Sequence, residues 1–500
     1  MPKASSPNPT APRPSTLSVP TTGAPSHGSG SRRDARVTLA VTFAFLALLL
    51  VSTGCRTYAT KTESFRQTWQ AGQYDQAAKS FGSKADSVSN GRDAVIWRLE
   101  HATALRAAGR YQESNQAFEQ AEARMAEYSA RAKVRVATEA MATMTTPANL
   151  PYEGRAYDRI MAATYRALNY LALGEPDSAR PALLKAYQYQ QDAVAENARR
   201  IQRAQEDAAS SSQADTIQRT RSNPQFQNTV GSLYSKNASL KPYSDYVNPF
   251  SVWLDGAFFL ATAQDLSDLE RARKSLERAL AFNPNHAAIR ADLEACDRRL
   301  RGGAPEPVTY VILETGRAAL RQQVRIDIPI IFANVSYLGT AWPVLEAQSG
   351  NLLTVGINTG QHRLNTATVA SLDSIIARDF EDEKPAIITR TLISTLAKGA
   401  AAFAANEAAS QQDQGLGALV RIATLAYQAS VNIADTRSWT TLPKEFQMSR
   451  FPTPANRRID IQSGTGPAQP VTIEEGRVNI VYIHSVSGFA PPRVTQMKLQ

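Results

Sequence analysis

The chain has 500 residues, 43% of them hydrophobic and 20% charged, ordinary globular values that exclude a wholly disordered or fibrous chain and leave room for about two or three cores. Its 55 Lys and Arg against 45 Asp and Glu give a net charge of +10, dispersed along the sequence, so the basic stripe of a nucleic-acid-binding protein is missing. With two cysteines, Cys55 and Cys296, the fold is not disulfide-stapled.

Residues 1–31 are rich in Pro, Ser, Thr, Ala and Gly and cannot bury a core; a start codon set too far upstream would account for them. Arg32, Arg33 and Arg36 then precede an apolar run from Val37 to Val51, and Ser52-Thr53-Gly54-Cys55 follows it. The run is shorter than the roughly 18–20 residues of a spanning helix, and basic, apolar and small residues in that order read as a secretory signal. The stretch resembles a bacterial lipoprotein signal. That resemblance implies removal of residues 1–54, acylation of Cys55 and a lipid anchor in the membrane; Arg56, in place of the Asp that favours the inner membrane, implies an outer-membrane address facing the periplasm. An uncleaved anchor and a free core cysteine are the alternatives.

From residue 55 to 300 the apolar period is helical. Gly72, Tyr74 and Ala77 are echoed by Gly109 and Tyr111, by Gly174 and Ala179, and at the level of the second helix by Ala272 and Pro284. A Gly closes one helix, an aromatic packs the corner and small residues let paired helices approach. These copies resemble interrupted tetratricopeptide (TPR) repeats; a helical bundle with Gly-ended helices is the alternative. Gln188 to Arg221 reads as a long solvated helix, Pro249 opens the next one, and Cys296 reads as a small buried residue.

Residues 301–307 form a Gly- and Pro-rich linker, residues 308–490 read as a mixed α/β domain, and residues 491–500 as a tail. Strands are expected at Val308–Leu313, Val324–Ile330, Leu352–Val355, Arg458–Ile461 and Val478–Ile483. Helices are expected over Val369–Phe380, from Pro385 to about Asn406, and over Leu416–Ile433. The fold class is α+β, a helical array followed by a mixed domain.

Ala167-Leu168-Asn169-Tyr170-Leu171 with Gly174, Tyr246-Val247-Asn248-Pro249-Phe250, Glu314-Thr315-Gly316, Ile387-Ile388-Thr389-Arg390 and Ala434-Asp435-Thr436-Arg437-Ser438-Trp439 occur in that order. Together they resemble an uncharacterised family of bacterial envelope lipoproteins with TPR-like repeats. The resemblance implies an address and an architecture and carries no reaction; relatives encoded near activators of peptidoglycan synthases point toward cell-wall synthesis.

Motifs for chemistry are missing: there is no His-Glu-x-x-His, no phosphate loop and no Gly-x-Ser-x-Gly, and Gly415-Leu416-Gly417 lacks the third Gly of a dinucleotide loop. The five histidines, at 27, 101, 286, 362 and 484, lack metal-ligand spacing, and His286 reads as a surface helix cap. The most suggestive polar set is Glu314, Arg390, Asp435, Arg437 and Trp439. It reads either as a network stapling helices onto the sheet or as a groove for a carboxylate or peptide. The expected function is a non-enzymatic, lipid-anchored envelope scaffold binding protein partners through its repeats, without cofactor, metal or nucleic acid. The alternative is a cell-wall-acting enzyme, or a carbohydrate- or peptide-binding protein, using the C-terminal domain. Leu396 to Ala405, rich in Ala, is a candidate oligomer seam.

Overall fold

The computed structural model describes residues 57–135, 147–332, 335–410 and 433–500. The signal-like run, Cys55, Gly415-Leu416-Gly417 and most of the expected Leu416–Ile433 helix lie outside these. Helices fill the N-terminal half and sheets the C-terminal half.

The helical half runs α1 Tyr58–Lys61, α2 Glu63–Gln70, α3 Tyr74–Ser87, α4 Ala94–Ala107, α5 Tyr111–Arg135, α6 Ala156–Ala172, α7 Pro176–Ala209, α8 Ala214–Ser222, α9 Pro224–Tyr234, α10 Pro249–Thr262, α11 Leu266–Phe282 and α12 Ala287–Leu300. Three of the corners are built alike. Gly72, Gly109 and Gly174 have φ of +72°, +78° and +76°. After each, the next amide reaches back to a carbonyl five residues earlier: Gln73 to Thr68, Arg110 to Leu105 and Glu175 to Tyr170. This is the Schellman closure, which needs a left-handed residue at that point. Ala77, Ala179 and Ala272 are fully buried between helices, and exposed Pro284 follows the end of α11. Asn248 caps α10 by accepting from the amides of Phe250 and Ser251, with Pro249 in the first turn.

Gln188–Arg221 is not one solvated helix. Its sequence divides between α7 and α8, and Gln190, Ala193 and Ala204 are buried because α7 lies along a later helix.

A five-stranded sheet forms the middle layer. The strands in chain order are β1 Val308–Thr315, β2 Leu320–Phe332, β3 Val335–Glu346, β4 Val355–Asn358, β5 Arg363–Asn365, β6 Ala367–Ser371, β7 Glu445–Pro452, β8 Arg458–Ser463, β9 Gln469–Thr472, β10 Val478–Ser485 and β11 Arg493–Lys498. The main sheet is ordered β11-β10-β1-β7-β6, with β1 parallel to β10 and antiparallel to β7. β1 is buried along its whole length. Tyr310 and Ile312 face the helical core, while Val311 and Leu313 face a second core beneath the small β5-β4-β8-β9 sheet. A buried central strand therefore reads as a continuous apolar run.

The exposed 301–307 segment connects the two halves, yet one hydrophobic core runs from Tyr58 through the helices to Leu499. Residues 493–498, expected in a tail, are the sheet's edge strand, with Met497 buried and pairing that covers β10. Val369, expected on a helix, lies in β6. The helices expected around Pro385 are a single helix, α13, Leu372–Ser410. Pro385 deprives it of one backbone bond, but Phe380, Ala386, Leu392 and Leu396, buried on both sides of the proline, keep it continuous. His286 is buried rather than a surface cap: its Nε2 lies 3.2 Å from the Ala367 carbonyl oxygen, and its side chain makes no cap hydrogen bond.

Candidate functional site

The five polar residues singled out in the sequence separate into two neighbouring places. Asp435, Arg437 and Trp439 belong to Ala434–Leu442, a stretch without helix or strand that runs buried across α4 and α6. Its holdfast is Glu100 on α4. That carboxylate accepts from the Thr440 amide at 2.6 Å, the Thr440 hydroxyl at 2.7 Å, the Thr441 amide at 3.0 Å and the Tyr58 hydroxyl at 3.2 Å. Burial, only partly offset by these donors, pushes Glu100 up to about 7. Trp439 inserts between Phe118 and Tyr165, with ring centroids at 5.9 and 6.0 Å, and its indole N–H is shared between Thr103 and Thr441.

Glu314, at the end of β1, lies on the far side of Tyr165. It accepts from the hydroxyls of Tyr165 at 2.6 Å and Tyr482 at 2.5 Å, and the Arg106 guanidinium stands 3.8 Å away over both rings. Burial and then Glu314 raise both phenols, while burial lowers His484, 3.9 Å from Glu314, against the opposing pull of that carboxylate. The adjoining cavity is only about 20 Å³, too small for a ligand, so this cluster is internal packing, with Arg106 Nη2 and His484 Nδ1 left without a hydrogen-bond partner among the described residues.

Arg390, Asp435 and Arg437 meet instead in a cleft of about 180 Å³ where α7, α13, the base of the β2/β3 hairpin and the 434–437 segment converge. Arg437 forks onto Asp435 (Nε–Oδ1 2.8 Å, Nη2–Oδ2 2.9 Å) and donates to the Leu150 carbonyl at 2.7 Å. Arg155 donates to the Arg437 carbonyl at 2.9 Å. Arg321 contacts Glu383 at 2.5 Å and Asp379 at 3.5 Å, one turn apart on α13. Burial and neighbouring Glu383 push Asp379 up to about 6. Burial also acts to raise Glu383, but Arg321, Arg155 and Arg200 reverse this and hold it well below the ordinary carboxylate range. The cleft is thus lined by fixed cations and the Glu383 carboxylate they pair with, and Asp379 lies behind that lining.

Sequence reasoning missed Glu100, Arg106, Arg155 and Arg321. Single charged residues in helical or alternating patterns read as solvent-facing; residues 434–442 cover Glu100 and Arg155, Arg106 is enclosed by Tyr165, Tyr482 and Glu314, and Arg321 by Asp379 and Glu383 of α13. Among the described residues no group of three or more His, Cys, Asp or Glu could hold a metal, and no helix is long and apolar enough to cross a membrane. No protein-family profile, curated protein or solved structure matches the chain.

Proposed function

We propose that the protein is a lipid-anchored, non-enzymatic binding protein of the bacterial envelope, built on a TPR-like helical half and facing the periplasm from the outer membrane. The observation that carries this reading is the seating of Ala434–Leu442 on α4 and α6. On this helical face a carboxylate accepts the backbone amides of the turn at Thr440 and Thr441 and an aromatic slot takes Trp439; repeat arrays offer peptides a concave surface, and here the occupant is the chain's own. With that face filled in cis, a partner docks on the outer helical surface or beside the arginine cleft. The test is mass spectrometry of the mature N-terminus, followed by crosslinking in the native envelope. Acylated Cys55 as residue one and a specific envelope partner are expected. A Cys55→Ala chain that stays processed and membrane-bound would sink the anchor, and a protein that crosslinks to nothing would sink the scaffold.

A second reading, a cell-wall-acting enzyme, is favoured by one feature: two carboxylates one turn apart on α13, Asp379 and Glu383, share Arg155 and Arg321 beside an open cleft that Glu383 lines. Release of soluble fragments from peptidoglycan by the wild type, abolished in Asp379→Asn, would establish it.

A further inference from the structure

The cleft is lined by Arg155, Arg200, Arg203, Arg321, Arg390 and Arg437, against the carboxylates Glu153, Glu383 and Asp435. Arg155, Arg321 and Arg437 are at most 4% exposed, and Arg155 opposes the charge of both Arg200 and Arg437. Asp379 sits behind the lining and shares Arg155 and Arg321 with Glu383, while Glu196 takes Arg200 at 3.2 Å. Arg203 and Arg390 form no ion pair within 4 Å among the described residues; both act on the Asp207 carboxylate at longer range, and Arg203 also on Glu153. A second, independent observation comes from Ser394. It is 4% exposed and lines the cleft, yet its hydroxyl has no hydrogen-bond partner among the described residues. A buried hydroxyl without a partner costs about 1–3 kcal/mol in general, so such groups are normally satisfied by a ligand or water. Ile387, Ala341 and Pro343 supply an apolar wall.

We propose that this cleft is an oxyanion site that takes the carboxylate or phosphate of a small ligand, with Arg390, Arg203 and the Ser394 hydroxyl as its donors and the ligand's apolar body against Ile387 and Pro343. Arginine forks suit either anion, because both present paired oxygens to parallel N–H groups. The volume of about 180 Å³ falls below the ~300–1,000 Å³ of sites for drug-sized molecules, so the cleft takes a terminal group or headgroup and not a long chain. The inference stands on the cleft alone, whether or not Cys55 is acylated.

The test is calorimetric titration of the full chain in detergent with N-acetyl-alanyl-alanine, its C-terminal amide and phenyl phosphate. At least one of the two anions binds with one site per chain, and the amide, which lacks the charge, binds at least ~10-fold more weakly than its acid. Binding of the dipeptide acid alone identifies a peptide carboxylate as the natural group, and binding of phenyl phosphate alone a phosphate ester. Arg390→Ala weakens the bound anion ~10–100-fold, Arg390→Lys restores part of the loss, and Ser394→Ala weakens it less, with the melting temperature of each variant reporting that the fold is intact. Arg203→Ala serves in place of any variant that fails to fold. Failure of both anions to bind more tightly than ~1 mM, an amide as good as the acid, or full affinity in folded Arg390→Ala and Arg203→Ala would each overturn the proposal.

Discussion

The carboxylate of Glu100 lies 2.6 Å from the backbone nitrogen of Thr440, a contact between residues 340 positions apart. It joins a helix of the N-terminal half to the segment that leads into the central sheet, and Tyr58, the second described residue, reaches the same carboxylate. The first helical turn, α4 and the approach to β7 are thereby tied at one point.

Removing that point is costly. Glu100→Ala leaves two backbone amides and two hydroxyls without this acceptor in a fully buried place, and a buried group left unsatisfied costs about 1–3 kcal/mol. A loss of about 3–5 kcal/mol in denaturant unfolding is expected. The site also gives stability a pH dependence. Glu100 stands at about 7 when folded, against an ordinary 4.5, so between these values the folded chain binds more protons than the unfolded one. Its contribution is therefore fully present below pH 4.5 and declines as pH rises toward 7, by about 3 kcal/mol over the whole interval. Unfolding followed from pH 4.5 to 8 checks this: Glu100→Gln removes that part of the slope, and an unchanged slope would show Glu100 to be ionised throughout.

Trp439 tests the seating of the same segment from its apolar side. The ring is 2% exposed, so Trp439→Ala opens a large cavity beside Phe118 and Tyr165 and is expected to cost about 3–5 kcal/mol. Trp439→Phe keeps much of the packing but deprives Thr103 and Thr441 of the shared indole N–H, and should cost clearly less. Equal losses in the two variants would mean that the hydrogen bonds, not the packing, hold the segment.

Two corner glycines separate backbone strain from crowding. Gly174 has φ +76° with open space where a Cβ would stand, so Gly174→Ala should cost only the left-handed penalty of about 1 kcal/mol. At Gly109, φ +78°, a Cβ would come within 2.5 Å of the Arg493 Nη2, and Arg493 also donates to the Ala107 carbonyl at 2.8 Å. Gly109→Ala should cost more, and Arg493→Ala in the same chain should return part of the difference. Equal melting temperatures for the two single variants would show that the edge strand does not bear on this corner.

Much of this fold was legible because its signals are local. A glycine needed at positive φ, an Asn-Pro helix start and an unbroken apolar strand such as Val308–Leu313 each act within a few residues, and Gly72, Asn248 and β1 stand where they were expected. What escaped depends on the tertiary path. Pro385 reads as a helix start by its own chemistry, and only burial on both sides carries α13 through it. Residues 493–498 have too little apolar pattern to announce a strand, and β10 supplies the pairing. Of the polar set, Asp435 and Arg437 pair and line one cleft with Arg390, whereas Glu314 faces the opposite side of Tyr165, a separation set by the tertiary path.

Asp292 offers the sharpest measure of how firmly helices and sheet are joined. On α12 and fully buried, it accepts from the indole of Trp253 on α10 at 2.9 Å, from the Tyr310 hydroxyl on β1 at 2.6 Å and from Arg450 Nε on β7 at 2.7 Å. Asp292→Ala strands a largely buried guanidinium along with two unpaired donors, and breaking a buried pair from one side costs about 3–5 kcal/mol. Arg450→Met removes the cation that compensates the Asp292 carboxylate, so Asp292→Leu and Arg450→Met should each be severe alone while the double variant that combines them loses far less than their sum. A strongly positive coupling in this double-mutant cycle identifies the ion pair as a specific joint between α12 and β7. Simple additivity would mean that the indole and the phenol, rather than the charge, are what Asp292 holds, and Trp253→Phe would then reproduce most of the Asp292→Ala loss.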